Sequence, residues 1–156
     1  MNVRAQGPVK TRILVVDDEQ AIRELLRLHL RNEGYEVVEA PDAIVAAKML
    51  LARAWNIDLL ILDASMPYMT GIDLAAAVIG DTTLPPVRII LITGHEDLAR
   101  RADRLDVPCL MKPFTASALI SIVDSSLAAP LKSAPAGLRE KKMNSLSAYE
   151  SRQRRA

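Results

Sequence analysis

Short apolar runs alternate along this chain with longer segments whose apolar residues recur every three or four positions. The runs lie at 13–16, 37–38 with their flanks, 59–62, 87–92 and, more weakly, 109–111. They are rich in Val, Ile and Leu, often at consecutive positions. Strands buried on both faces of a parallel sheet have this pattern. The segments between them are helix-like. Across 19–33 the residues Ile22, Leu25, Leu26 and Leu30 follow the spacing of one helix face, and Gly34 suits the C-terminal cap. Asp42 suits the N-cap of a second helix that carries Ile44, Val45, Ala47 and the pair Leu50 and Leu51. Further helices are predicted at 72–79, 96–104 and 116–128. Five strand–helix units predict an α/β fold with helices on both faces of a parallel sheet. Right-handed crossovers leave few windings. The expected one is a doubly wound, flavodoxin-like five-stranded sheet of order 2-1-3-4-5.

Composition refines this without changing it. The 156 residues are 50% apolar and 25% charged, ordinary for a globular chain that buries a core without staples. One cysteine, Cys109, excludes an intramolecular disulfide and points to a reducing, cytoplasmic setting. No apolar run is long enough to predict a membrane span, and the start lacks a signal-like apolar stretch. The net charge of +1 is unevenly placed. Residues 1–129 hold 13 Lys and Arg against 17 Asp and Glu, whereas 130–156 hold 7 against 2. The chain therefore divides into a flexible segment at 1–11, a domain at 12–128, and a Pro-containing linker with a basic tail at 129–156. The tail reads as solvated and disordered, with a weak stripe of Met143, Leu146 and Tyr149 that would suit docking on an acidic partner.

The chemistry sits at the strand ends. The first run stops at Asp17 and Asp18, and the third at Asp63. In the expected order these strands are neighbours at the point where the winding reverses, where open α/β sheets bind ligands. Two like charges about 4 Å apart repel by about 4 kcal/mol at an effective dielectric of 20. A divalent cation removes that conflict, and hard carboxylate ligands suit Mg2+. Thr93 ends the fourth run and Lys112 the fifth, with Pro113 next. A hydroxyl and an ammonium beside a metal and a carboxylate make an anion site of phosphoryl size.

The stretches VVDDE at 15–19, LDASMPYMTG at 62–71, ITGH at 92–95 and MKPF at 111–114 resemble the receiver domain of two-component response regulators. The resemblance spans roughly 11–128 and is similar to stand-alone chemotaxis-type receivers. It implies that Asp63 is the phospho-acceptor and attacks a phosphohistidine as a carboxylate nucleophile. It implies that Asp17, Asp18, Asp63 and the backbone carbonyl of Ser65 hold Mg2+, that Lys112 pairs with a phosphoryl oxygen, and that Thr93 bonds another and reports phosphorylation. Ser65 and His95 occupy positions that tune hydrolysis in the family; His29 reads as a plain helix residue.

Two departures stand out. Cys109 occupies a position where the family usually has an aromatic ring that rotates with the threonine. The stretch from Thr93 to Lys112 is short by about one helical turn, roughly 3–4 residues, and Leu105 and Asp106 replace a usual Gly-Ala. A short fourth helix and an atypical output face are expected. The resemblance implies a single-domain switch or phosphate shuttle. Its partners would be a sensor histidine kinase or histidine phosphotransfer protein and an unknown downstream protein. A homodimer is possible in this family. Neither DNA nor a membrane is an expected partner, and no catalysis is expected beyond self-phosphorylation and autodephosphorylation. Two other readings stay open. One is an interaction module without phosphorylation; the other, weaker, is a small phosphatase that would need His95 as an additional acid or base.

Overall fold

The computed structural model describes residues 9–131. The expectations for the segment before them and for the basic tail after them lie outside the described residues. Five strands and five helices alternate: β1 (Arg12–Val16), α1 (Gln20–Asn32), β2 (Glu36–Ala40), α2 (Ala43–Ala52), β3 (Leu59–Asp63), α3 (Gly71–Gly80), β4 (Arg88–Thr93), α4 (Glu96–Arg104), β5 (Cys109–Met111) and α5 (Ala116–Ala128). The sheet is parallel throughout, in the order β2-β1-β3-β4-β5. This is the doubly wound, flavodoxin-like fold that the alternation of runs and helices predicts.

Side chains of the central strands alternate between two apolar layers, as strand geometry requires. Ile13, Val15, Leu59, Ile61, Ile90 and Ile92 pack with Leu26 and Leu30 of α1 and Leu119 and Val123 of α5. Leu14, Val16, Leu60, Leu62, Ile89 and Leu91 face α2, α3 and α4. On that second side small residues, Ala43, Ala46, Ala75 and Ala102, let the helices approach closely.

The helix limits follow local chemistry. Asp42 caps α2 by accepting from the Val45 N–H at 2.8 Å. Gly34, with φ of +90°, supplies the left-handed residue just beyond α1. The periodicity misplaced some apolar residues. Leu25, Ile44 and Leu51 are exposed. Leu25 stands at the edge of the α1 stripe, whose buried members are Leu26 and Leu30. Helix α2 is apolar nearly all round, so its pattern could not say which side faces inward; Ala43 and Ala46 do. Helix α4 has 9 residues and is the shortest of the five.

Candidate functional site

Strand register brings the acidic residues together. Val16 pairs with Leu62, so the next residues, Asp17 and Asp63, stand side by side where β1 and β3 end. Asp63 is level with Ile92, and Thr93 with Met111. The rim thus continues through Thr93 at the end of β4 to Lys112 just past β5. Asp17, Asp18 and Asp63 each bring a carboxylate oxygen to within 4.8 Å of the others. Asp17 is 1% exposed and Asp63 5%. Asp18 is exposed.

Each buried carboxylate is half satisfied. The Glu19 N–H donates to Asp17 Oδ1 at 2.8 Å, and the Ser65 N–H donates to Asp63 Oδ1 at 3.2 Å. The Lys112 ammonium lies 3.7 Å from Asp17 Oδ2 and 3.7 Å from Asp63 Oδ1. Asp63 Oδ2 has no hydrogen-bond partner among the described residues and opens to the crevice. One ammonium cannot balance three carboxylates. Burial pushes the Asp63 carboxyl up to about 6; Asp17 and Asp18 add to the rise, while the Ser65 N–H and Lys112 oppose it. Burial likewise raises Asp17, against the pull of the Glu19 N–H and Lys112.

That surplus of buried negative charge tests the fit of a metal. Clustered hard oxygen donors, one of them facing solvent, match a cation that keeps several of its waters. Asp17, Asp18 and Asp63 could hold Mg2+. The backbone after Asp63 is anchored for this: the Ala64 N–H donates to the Ile92 carbonyl at 2.8 Å, and the Gly71 N–H to the Ala64 carbonyl at 3.2 Å.

Other expected residues stand nearby in different surroundings. Thr93 is buried, and its hydroxyl oxygen accepts from the His95 N–H at 3.0 Å. His95 is exposed and precedes α4 as its N-cap. Thr93, His95 and Cys109 make no hydrogen bond or ion pair to Asp17, Asp18 or Asp63 among the described residues. Cys109 is half-buried against the α2–α3–α4 layer. Burial, with Asp103 nearby, pushes its thiol up, which disfavours a reactive thiolate. The Lys112–Pro113 peptide is cis.

Three features were not legible in the sequence. A Cβ on Gly71 would meet the Asp63 carbonyl oxygen at 2.0 Å, so α3 begins in direct backbone contact with the Asp63 loop. Tyr68 is fully exposed, with φ of 66°, at the centre of a turn closed by the Met69 N–H on the Pro67 carbonyl at 2.8 Å. Such a three-residue turn with positive φ is a strained form. Arg23 of α1 reaches back to the carbonyl of Asp17 at 2.7 Å.

Known proteins resemble this chain in sequence and fold. The model of the response regulator receiver domain matches residues 13–124. Transcriptional regulatory protein PdtaR of Mycobacterium tuberculosis is 38% identical over 122 residues, covering 77% of this chain and 58% of PdtaR. The chain thus spans little more than half the length of that relative. Chemotaxis protein CheY of Pseudomonas aeruginosa is 35% identical over 112 residues, covering 69% of this chain and 89% of CheY. The response regulator TrrA of Thermotoga maritima, whose solved structure is a complex with Mg2+-BeF, matches with a TM-score of 0.66 and 34% identity over 74% of this chain and 97% of that one. Fold, strand-end carboxylates and these matches agree: the chain belongs to the family of response regulator receiver domains.

Proposed function

We propose that this receiver accepts a phosphoryl group on Asp63 from a phosphohistidine of a sensor histidine kinase or histidine phosphotransfer protein. It then acts as a phosphorylation-dependent binding switch or phosphate shuttle. One observation carries the reading: Asp63 and Asp17 are buried side by side with Asp18 beside them, and among the described residues Lys112 is the one cation paired with their carboxylate oxygens. Its functional unit is residues 12–128. Its single cysteine supports a place in the cytoplasm.

In this reading Asp63 Oδ2 attacks phosphorus. The new O–P bond forms as the P–N bond breaks, and the imidazole keeps that bond's electron pair. Among the described residues nothing else engages this oxygen, and the Ser65 N–H holds the other one in place. Attack needs the ionised carboxylate. A cation held by Asp17, Asp18, the second oxygen of Asp63 and the Ser65 carbonyl would supply that bias and neutralise charge on the transferring oxygens. Lys112 is placed to exchange its carboxylate contacts for a phosphoryl oxygen. Thr93 accepts from the His95 N–H, which leaves its own hydrogen to donate to a second phosphoryl oxygen. Catalysis here is limited to self-phosphorylation and slow hydrolysis. Ser65 and His95 hold the positions expected to affect the latter.

Intact-mass spectrometry after acetyl phosphate treatment tests this. The wild-type chain should gain one phosphoryl group in Mg2+ and none in EDTA. Asp63→Asn should gain none in either. An adduct on Asp63→Asn, or one formed equally well in EDTA, would overturn the assignment.

A further inference from the structure

Arg23 lies six residues after Asp17, on the side of α1 that faces β2. Its Nη1 donates to the Asp17 carbonyl at 2.7 Å, and its Nε sits 3.7 Å from Glu39 Oε1. The side chain is only 15% exposed, so its charge needs partners. Glu39 of β2 cannot be its main one. Arg27, one turn further along α1, holds the other oxygen of Glu39 at 2.6 Å. The link between α1 and β2 is therefore already made, and the short bond of Arg23 goes to the backbone between the two carboxylates.

We infer that Arg23 is a positioning residue for the divalent-cation site: it fixes the peptide that joins Asp17 to Asp18. This rests on the reading of those two residues as cation ligands. Two other bonds hold the turn. The Asp17 N–H donates to the Ala40 carbonyl at 3.4 Å, and the Glu19 N–H donates to Asp17 Oδ1 at 2.8 Å. Neither holds the Asp17 carbonyl, and Asp18 is exposed with no side-chain hydrogen bond among the described residues. The Arg23 Nη1–H supplies that restraint. Groups that orient metal ligands from outside typically set affinity by about 10- to 100-fold.

Electrostatics gives the test its sign. Arg23 is a cation beside a cation site. If charge were its only effect, removing it would tighten Mg2+ binding. If positioning dominates, removing it weakens binding. Calorimetric titration of MgCl2 into the full chain compares wild type, Arg23→Met and Arg27→Met, with thermal melts in EDTA to confirm folding. Arg23→Met should bind Mg2+ about tenfold more weakly. Arg27→Met loses an ion pair to the same glutamate and should bind within about twofold of wild type. Equal or tighter binding by Arg23→Met, or equal weakening by Arg27→Met, would overturn the inference. Should Arg23→Met not fold, Arg23→Lys against Arg27→Lys decides by the same criterion, because lysine keeps the charge but loses the planar fork. A wild-type chain that binds no Mg2+ would instead defeat the reading of the site itself.

Discussion

Strand β1 feeds two rims of the sheet, and they treat charge in opposite ways. At its amino end Arg12 forks onto both oxygens of Glu36, at 2.9 and 3.0 Å, and its side chain also donates to the Trp55 carbonyl. Its backbone N–H donates to Asp58 Oδ2 at 2.8 Å, and the Asp58 N–H returns a bond to the Arg12 carbonyl at 2.9 Å. Nearby, Arg88 donates twice to the Ala129 carbonyl, at 3.0 and 3.3 Å. Most side-chain polar groups there are matched; among the described residues Arg12 Nε is the one fully buried side-chain nitrogen or oxygen without a partner. Five residues on, the carboxyl rim holds three carboxylates against one ammonium. Matched charges fasten strand ends and leave nothing for a ligand to do. A buried surplus raises the free energy of the fold, and a bound cation would relieve it.

Four substitutions would break or sharpen this contrast. The largest effect belongs to Gly71→Ala. Its new methyl meets backbone at 2.0 Å, and backbone cannot swing aside. A loss of about 3 kcal/mol is expected in urea denaturation, with phosphorylation lost as Asp63 is displaced. Gly80→Ala is the control, since a Cβ there meets nothing within 4 Å. Comparable losses from both would mean that the approach to Asp63 is not special.

Asp63→Asn comes next and should stabilise. The folded-state pKa of Asp63 is about 6, above the ordinary aspartate value of about 3.9. A raised carboxylate binds more protons folded than unfolded between those values. Stability in EDTA should therefore fall as pH rises from about 4 to about 6, with the cost fully present above pH 6 and absent below pH 4. Asp17 is shifted the same way and adds to the slope. Asp63→Asn removes the larger share and should gain about 2 kcal/mol at pH 7.5. Equal stability of the two proteins at pH 7.5 would mean that the carboxyl rim carries no strain of charge.

Arg12→Met tests the other rim with the opposite sign. It should cost about 1–2 kcal/mol, because the Trp55 carbonyl and Glu36 lose their donor, and it should leave Mg2+ affinity unchanged in titration. The smallest effect is expected from Tyr68→Gly. Glycine relieves a positive φ that tyrosine adopts at a cost of about 1 kcal/mol, so the melting temperature should rise slightly. A fall would mean that the exposed ring is held by contacts of its own.

Much of the fold and most of the site were readable along the chain, for local reasons. Runs such as Leu59 to Leu62 are apolar on consecutive residues because β3 is buried on both faces. Asp42 and Gly34 mark helix limits through bonds and dihedrals set within a few residues. The carboxylates that end apolar runs at Asp17 and Asp63 pointed to a candidate site, because charge at the end of a buried strand is costly without a partner. Leu51 and Ile44 defeated the same reasoning. An apolar helix face cannot be told from its neighbour until something packs against it.

The sequence by itself determined the alternation of strands and helices, the winding they allow, and the residues at each strand end. These depend on periodicity and on chain reach, which are properties of neighbours. Only the tertiary structure decided that Val16 pairs with Leu62, which sets Asp17 beside Asp63. It alone decided the burial that lifts both carboxyls, the contact between Gly71 and the Asp63 carbonyl, and the reach of Arg23 to the Asp17 peptide. Burial and close approach join positions far apart in the chain, and no local pattern encodes the free energy of two distant charges leaving water together.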